Sequence, residues 1–153
     1  MKTRLLFALI CLIAILACSK DKFETKPQLK FISKNTNIVG INSNLRIVLE
    51  FTDKEGDVND SLLVVRQRLN RRGPVTMPAS PYPIPKFPAT KKGEFEVTLE
   101  YQFGLIFGLS PLRIIGSNPA QNEPDTLNLK FVARDKAGNK SDTLTVENII
   151  VRR

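Results

Sequence analysis

Residues 126–139 read Thr126-Leu127-Asn128-Leu129-Lys130-Phe131-Val132-Ala133-Arg134-Asp135-Lys136-Ala137-Gly138-Asn139, and this stretch decides the fold class. Leu127, Leu129, Phe131 and Ala133 alternate with Asn128, Lys130 and Arg134, the period-two pattern of a strand with one face in a core. The run then stops at an Asp-Lys-x-Gly-Asn turn, in which glycine supplies a positive φ and aspartate bonds its own backbone.

The same alternation recurs upstream. In 44–53, Leu45, Ile47, Leu49 and Phe51 oppose Arg46 and Glu50, and in 94–103, Phe95, Val97, Leu99 and Tyr101 oppose Glu94, Glu96, Thr98 and Glu100. Leu29–Phe31, 61–69 and 144–151 are further strands. In the last, Leu144 and Val146 lie on one phase and Ile149 and Val151 on the other, so a bulge at Glu147-Asn148 is required to keep both pairs inward. No segment carries a helical stripe. The expectation is an all-β fold, a single Ig-like or fibronectin III-like sandwich of six to seven strands over residues 28–153. It lacks the Trp and inter-sheet disulfide of antibody domains.

Two segments depart from alternation. Residues 73–88 hold Pro74, Pro78, Pro81, Pro83, Pro85 and Pro88, and proline gives no ladder donor, so an extended loop or edge segment is expected. Residues 104–125 are rich in Gly and Pro around apolar Leu105–Phe107 and Leu112–Ile115, which reads as a long, partly buried connection. Exposed Tyr82, Ile84, Phe87 or Phe107 would mark these segments as a binding surface, and packed ones would mark them as structural.

The N-terminus carries an address. Met1-Lys2-Thr3-Arg4 is a basic lead, and Leu5 to Leu16 is an apolar run of 12 residues. That is short of the ~20 a membrane span needs and suits a signal peptide. The run ends in Ile15-Leu16-Ala17-Cys18, which resembles the lipobox of bacterial lipoproteins, although Leu16 is a less typical choice at its position. The resemblance implies a diacylglyceryl thioether on Cys18, cleavage after Ala17 and acylation of the new amine. At ~0.8 kcal/mol per buried CH₂, two or three chains give lasting attachment. Residues 1–17 are then the signal peptide, and 18–27 the lipidated cysteine and tether.

Ser19 lacks the aspartate that retains many lipoproteins at the inner membrane. Cys18-Ser19-Lys20-Asp21-Lys22-Phe23-Glu24 resembles the charged tags of surface-exported lipoproteins of Bacteroidetes-type bacteria. The expected location is the outer membrane, facing the periplasm or the surface. The full pattern is similar to the small lipoproteins of such bacteria, a resemblance that supplies an address and a fold rather than a reaction.

Composition excludes much chemistry. The chain has no His, and its two cysteines, Cys11 and Cys18, are lost with the signal or consumed by lipid. The commonest general base, a thiolate nucleophile and a thiolate zinc site are all removed. There is no Gly-x-Ser-x-Gly elbow or phosphate-binding glycine loop, so the chain is read as no enzyme. Lys2 and Arg4 leave with the signal, so 21 basic residues face 15 acidic ones, an excess of +6. These are dispersed, with small groups at Arg66–Arg72, Lys91-Lys92 and Arg152-Arg153, so no nucleic acid is expected. The partners expected are the membrane, through lipid, and a protein or envelope glycan.

One internal echo points to a cation. Asp53-Lys54-Glu55-Gly56-Asp57-Val58-Asn59-Asp60-Ser61-Leu62 and Asp135-Lys136-Ala137-Gly138-Asn139-Lys140-Ser141-Asp142-Thr143-Leu144 share D-K-x-G-x-x-x-D-[S/T]-L. In an Ig-like order these are the loops after the second and sixth strands, at one end of a sandwich. Asp53, Glu55, Asp57 and Asp60 are hard oxygen donors suited to calcium, with Asp135, Asn139 or Asp142 joining if the loops meet. The simpler reading is turn chemistry, in which these side chains only bond the backbone. An Asp-[Ser/Thr]-Leu pattern also occurs three times and resembles the O-glycosylation sequon of Bacteroidetes-type secreted proteins, with Ser61, Thr126 and Thr143 as acceptors. Function is thereby narrowed to a non-catalytic, lipid-anchored binding or accessory module, against a purely structural envelope lipoprotein or a calcium-stabilised adhesion or glycan-binding module.

Overall fold

The computed structural model describes residues 24–58 and 61–153; the segment read as a signal peptide, Cys18, Asn59 and Asp60 lie outside them. Among the described residues nine strands form: β1 (Gln28–Lys34), β2 (Ile38–Val39), β3 (Leu45–Thr52), β4 (Ser61–Arg68), β5 (Val75–Thr76), β6 (Ser80–Tyr82), β7 (Lys92–Leu99), β8 (Asp125–Arg134) and β9 (Leu144–Val151). One sheet has the order β1-β3-β7; the other runs β2-β9-β8-β4-β5, with β6 also on β4. Pairing is antiparallel except for β2 on β9. The chain folds as an Ig-like β-sandwich.

Alternation fixed which faces meet. Leu45, Ile47 and Leu49 of β3 and Leu127, Leu129, Phe131 and Ala133 of β8 are fully buried, while their neighbours along each strand turn outward. A period-two strand forces this outcome once one face is apolar. The phase slip in 144–151 is resolved as expected. The β8–β9 register shifts between Leu127 and Leu129, and Asn148 takes φ +56°, returning Ile149 and Val151 to the core.

One expectation is corrected. The strand read over 94–103 ends at Leu99, and Tyr101–Ile106 form a single π-helical turn in which Gly104 and Leu105 N–H both donate to Glu100 O. Tyr101 stays buried and its hydroxyl donates to Arg152 O, so the apolar phase survived the change of backbone. The two D-K-x-G loops follow β3 and β8, which hold the second and sixth places of the Ig-like order, as expected, since β1-β3-β7 make one sheet and β9-β8-β4 the other.

The Pro-rich segment is an edge element, as its prolines require: β5 and β6 lie on β4, and the rest closes the open side of the sandwich. Ile84 is buried, Phe87 stacks on Phe51 at 5.1 Å between centroids, and Tyr82 Oη accepts from Thr98 N–H at 2.9 Å. Ile84 and Phe87 are therefore structural, while Tyr82 is half-buried and held by that bond. Replacing Phe87 by Ala removes an aromatic pair and part of the cover over Phe51, and is expected to cost about 2–3 kcal/mol. Urea unfolding checks this; a loss below ~0.5 kcal/mol, the ordinary surface range, would show that the segment does not seal the core.

Buried arginines pin the 104–125 connection. Arg66 and Arg68 share the inward face of β4 with Leu62 and Val64. Arg66 Nη1 donates to the carbonyls of Leu105 and Phe107 at 3.0 and 2.9 Å. Arg68 donates to Gly73 O and Ser110 O, and Arg153 Nη2 donates to Leu109 O. Both Arg68 and Arg153 also hold the fully buried Asp125, at 3.3 and 2.7 Å. Much of the chain's positive charge near Arg66–Arg72 is thus internal scaffolding.

Candidate metal centre

The D-K-x-G loops after β3 and β8 lie at the same pole. Each is shaped by its first aspartate. Asp53 Oδ2 accepts from Gly56 N–H at 2.7 Å and Asp57 N–H at 3.1 Å. Asp135 Oδ1 accepts from Asn139 N–H and Oδ2 from the Asn139 amide, both at 2.7 Å. Gly56 and Gly138 take φ +73° and +91°, as the turns demand. Gly56 is doubly constrained, since a Cβ there would stand 2.9 Å from the Thr90 backbone.

Turn chemistry therefore accounts for one side of the cluster and leaves the other unexplained. Carboxylate oxygens of Asp53, Asp57 and Asp135 all lie within 4.8 Å of one another. Asp53 and Asp135 are essentially fully buried and Asp57 is half-buried. Asp53 Oδ1 and Asp57 Oδ1 are buried and have no hydrogen-bond partner among the described residues. Two buried acceptors in one cluster that lack a donor cost free energy unless a proton or a cation intervenes. The Asp57 carboxyl is pushed above the usual aspartate range, first by burial and then by the charges of Asp53 and Asp135.

The donor set is all hard oxygen, which suits calcium or magnesium rather than a transition metal. Calcium–oxygen bonds of about 2.3–2.6 Å allow opposite ligands to stand about 4.6–5.2 Å apart, so the observed spread fits one coordination sphere. Three carboxylates supply three of the six to eight oxygens calcium takes, with backbone carbonyls and water as the usual remainder.

The other sequence candidates fall differently. Glu55 is exposed and stands outside the cluster; this corrects its assignment as a ligand. Asp60 lies outside the described residues. Asn139 donates its amide to Asp135. Asp142 is 82% exposed and pairs with Lys26, so it does not join. Of the Asp-[Ser/Thr]-Leu acceptors, Thr143 is exposed in a loop, Ser61 begins β4, and Thr126 is half-buried within β8. The aspartate preceding Thr126 is Asp125, enclosed by Arg68 and Arg153.

Sequence reading missed Asp125 as a buried ionic centre and Arg66 as an inward cation. A signal existed: Leu62, Val64, Arg66 and Arg68 share one parity along β4.

No family model matches the chain, and no curated protein matches it. Among solved structures it is similar to Spo0M, a sporulation control protein from Bacillus subtilis, with 9% identity and a TM-score of 0.43 over 84% of this chain and 50% of that one. It is also similar to a Niemann-Pick type C2 protein from the Japanese carpenter ant, with 16% identity and a TM-score of 0.38 over 85% and 97% of the two chains. The chain spans about half the length of the Spo0M structure. The fold assignment rests on this chain's own sheets, and no ligand or activity is carried over from either protein.

Proposed function

We propose that the chain is a non-catalytic lipoprotein of the cell envelope, anchored through Cys18, whose sandwich binds one calcium ion through Asp53, Asp57 and Asp135 and presents its opposite pole to a partner. The observation that carries the calcium reading is the pair of buried, unpartnered oxygens on Asp53 and Asp57 beside Asp135. A cation satisfies both and offsets three converging negative charges.

The anchor and the metal share one end of the domain. Gln28 pairs with Thr52, so β1 starts at the pole of the two loops, and Glu24 O accepts from Lys54 N–H. Five residues lie between Cys18 and Glu24, so the two are at most about 22 Å apart. Lipid on Cys18 thus holds the calcium loops near the membrane, and a bound ion would stiffen the pole that bears the tether. The far pole exposes Phe103 and Phe107, 74% and 64% accessible, on the connection pinned by the arginines. This favours an outward binding surface for a protein or envelope glycan. The packed Ile84 and Phe87 favour the second reading, a purely structural envelope lipoprotein.

Two experiments test the proposal. Calcium titrated into the isotopically labelled chain in detergent is expected to shift backbone resonances of 53–58 and 135–139 saturably, leaving 99–107 unmoved. Diffuse, unsaturating shifts would reject the site. For the anchor, Cys18→Ala is expected to move the protein from the membrane to the soluble fraction and to abolish labelling by palmitate. Retained label would place the lipid elsewhere.

A further inference from the structure

The far pole contains a groove that the calcium centre does not use. It lies where β7, the edge of one sheet, faces β4 and β6 of the other, with a cavity of about 450 Å³. That volume falls in the range of small-molecule sites. Val64 and Leu99 give it a buried apolar floor, Tyr82 and Pro83 one wall, and Phe103 a mouth that is 74% exposed. Arg66 lines it and is only 6% exposed.

Arg66 is the unusual feature. Its Nη1 caps the carbonyls of Leu105 and Phe107, which are neutral acceptors. Among the described residues no carboxylate lies within ion-pair distance of it, whereas Arg68 and Arg153 share Asp125. A buried guanidinium without a counter-ion is costly, and its planar fork matches a carboxylate. Burial alone pushes Arg66 below the ordinary arginine value, with no acid opposing the shift. Glu100 also lines the groove and is exposed, so the site offers one buried positive charge and one solvated negative one. That balance suits a monoanion and disfavours a phosphate dianion, which would face Glu100 without a second cation.

We propose that this groove binds a small monoanionic carboxylate with a flat apolar body, its carboxylate on Arg66 and its body between Tyr82, Pro83 and Phe103. The inference rests on the reading of the chain as a binding module and is independent of calcium. Arg66 and Leu99 lie at the end of β4 and β7 remote from Asp53.

The chain has no Trp, so Phe103→Trp places a single fluorophore at the mouth. With this variant of the full chain in detergent, 4-phenylbutyrate is expected to give a saturable change in emission. Its neutral isostere 4-phenylbutanamide should bind roughly tenfold or more weaker, since a charge-assisted hydrogen bond is lost. Adding Asp57→Asn should leave the ratio unchanged while removing the calcium response. Equal binding of acid and amide, or no saturable change with either, would overturn the proposal, and neither result touches the calcium centre. Since Arg66 supports the backbone of 105–107, the acid-to-amide ratio in an intact Arg66 background is the decisive reading. Arg66→Lys, which keeps the charge but not the fork, should reduce that ratio; an unchanged ratio would remove Arg66 from the site.

Discussion

Ten millimolar calcium is expected to raise the melting temperature of the chain by about 10 °C. A dissociation constant near 10⁻⁴ M is typical of extracellular calcium modules, so this concentration is roughly a hundredfold excess and stabilises by about 2.7 kcal/mol. For a domain of this size each kcal/mol moves the midpoint by about 4 °C. Asp57→Asn separates this from general salt effects, because its two consequences have opposite signs. Asp57 has a folded pKa raised by burial and by Asp53 and Asp135. A raised carboxyl pKa means that the folded state prefers the protonated form. The stability tied to it is fully present below the unfolded pKa and is lost as pH rises through the folded value. At neutral pH and without metal the variant should therefore melt a few degrees higher than wild type, about 2–4 °C. Its amide can also donate to the unpartnered Asp53 Oδ1. Lowering the pH should close that gap as Asp57 takes up its proton. In calcium the order should reverse, because the variant forfeits most of the metal's contribution. A variant that is less stable than wild type in both conditions would mean that Asp57 serves only the turn.

Asp125→Asn should destabilise the fold by about 3–5 kcal/mol, read from the urea midpoint. The side chain is fully buried between Arg68 at 3.3 Å and Arg153 at 2.7 Å, and the change keeps its shape while removing its charge. Two guanidinium groups would then stay buried without compensation, which is the costly way to break an internal ion pair. The same arginines hold carbonyls of Gly73, Leu109 and Ser110, so the loss should spread to the 104–125 connection. A cost below 1 kcal/mol, the size of an exposed pair, would show that water reaches this centre. Lys26–Asp142 is such an exposed pair, and its removal should change little.

The sheets were legible because their signal is local. β3 and β8 alternate over eight and ten residues, long enough for parity to name the buried set. The slip at Glu147-Asn148 could be read as a bulge since it alone reconciles Val146 with Ile149. The repeated D-K-x-G turn placed Asp53, Asp57 and Asp135 together, because strands in a sandwich bring alternate loops to one pole. What was not legible depended on partners distant in sequence. Strands β2, β5 and β6 have two or three residues, too few for a period, and exist only because β9 and β4 offer free edges. The π-helical turn at Tyr101–Ile106 continues an alternating pattern into a helix, held at its end by Arg66 from β4. Arg66 and Arg68 read as surface charge by residue type, although their parity with Leu62 and Val64 places them inside. Glu55 illustrates the reverse error: it is acidic and adjacent in sequence to the cluster, yet it is exposed and stands outside it.

The calcium centre is tested most directly by titration calorimetry of calcium into the metal-free chain at neutral pH. One ion per chain, with saturation below millimolar concentration and binding lost in Asp53→Asn and in Asp135→Asn, is the expected result. Absence of saturable heat up to 10 mM calcium, or a stoichiometry unchanged by both substitutions, would contradict it.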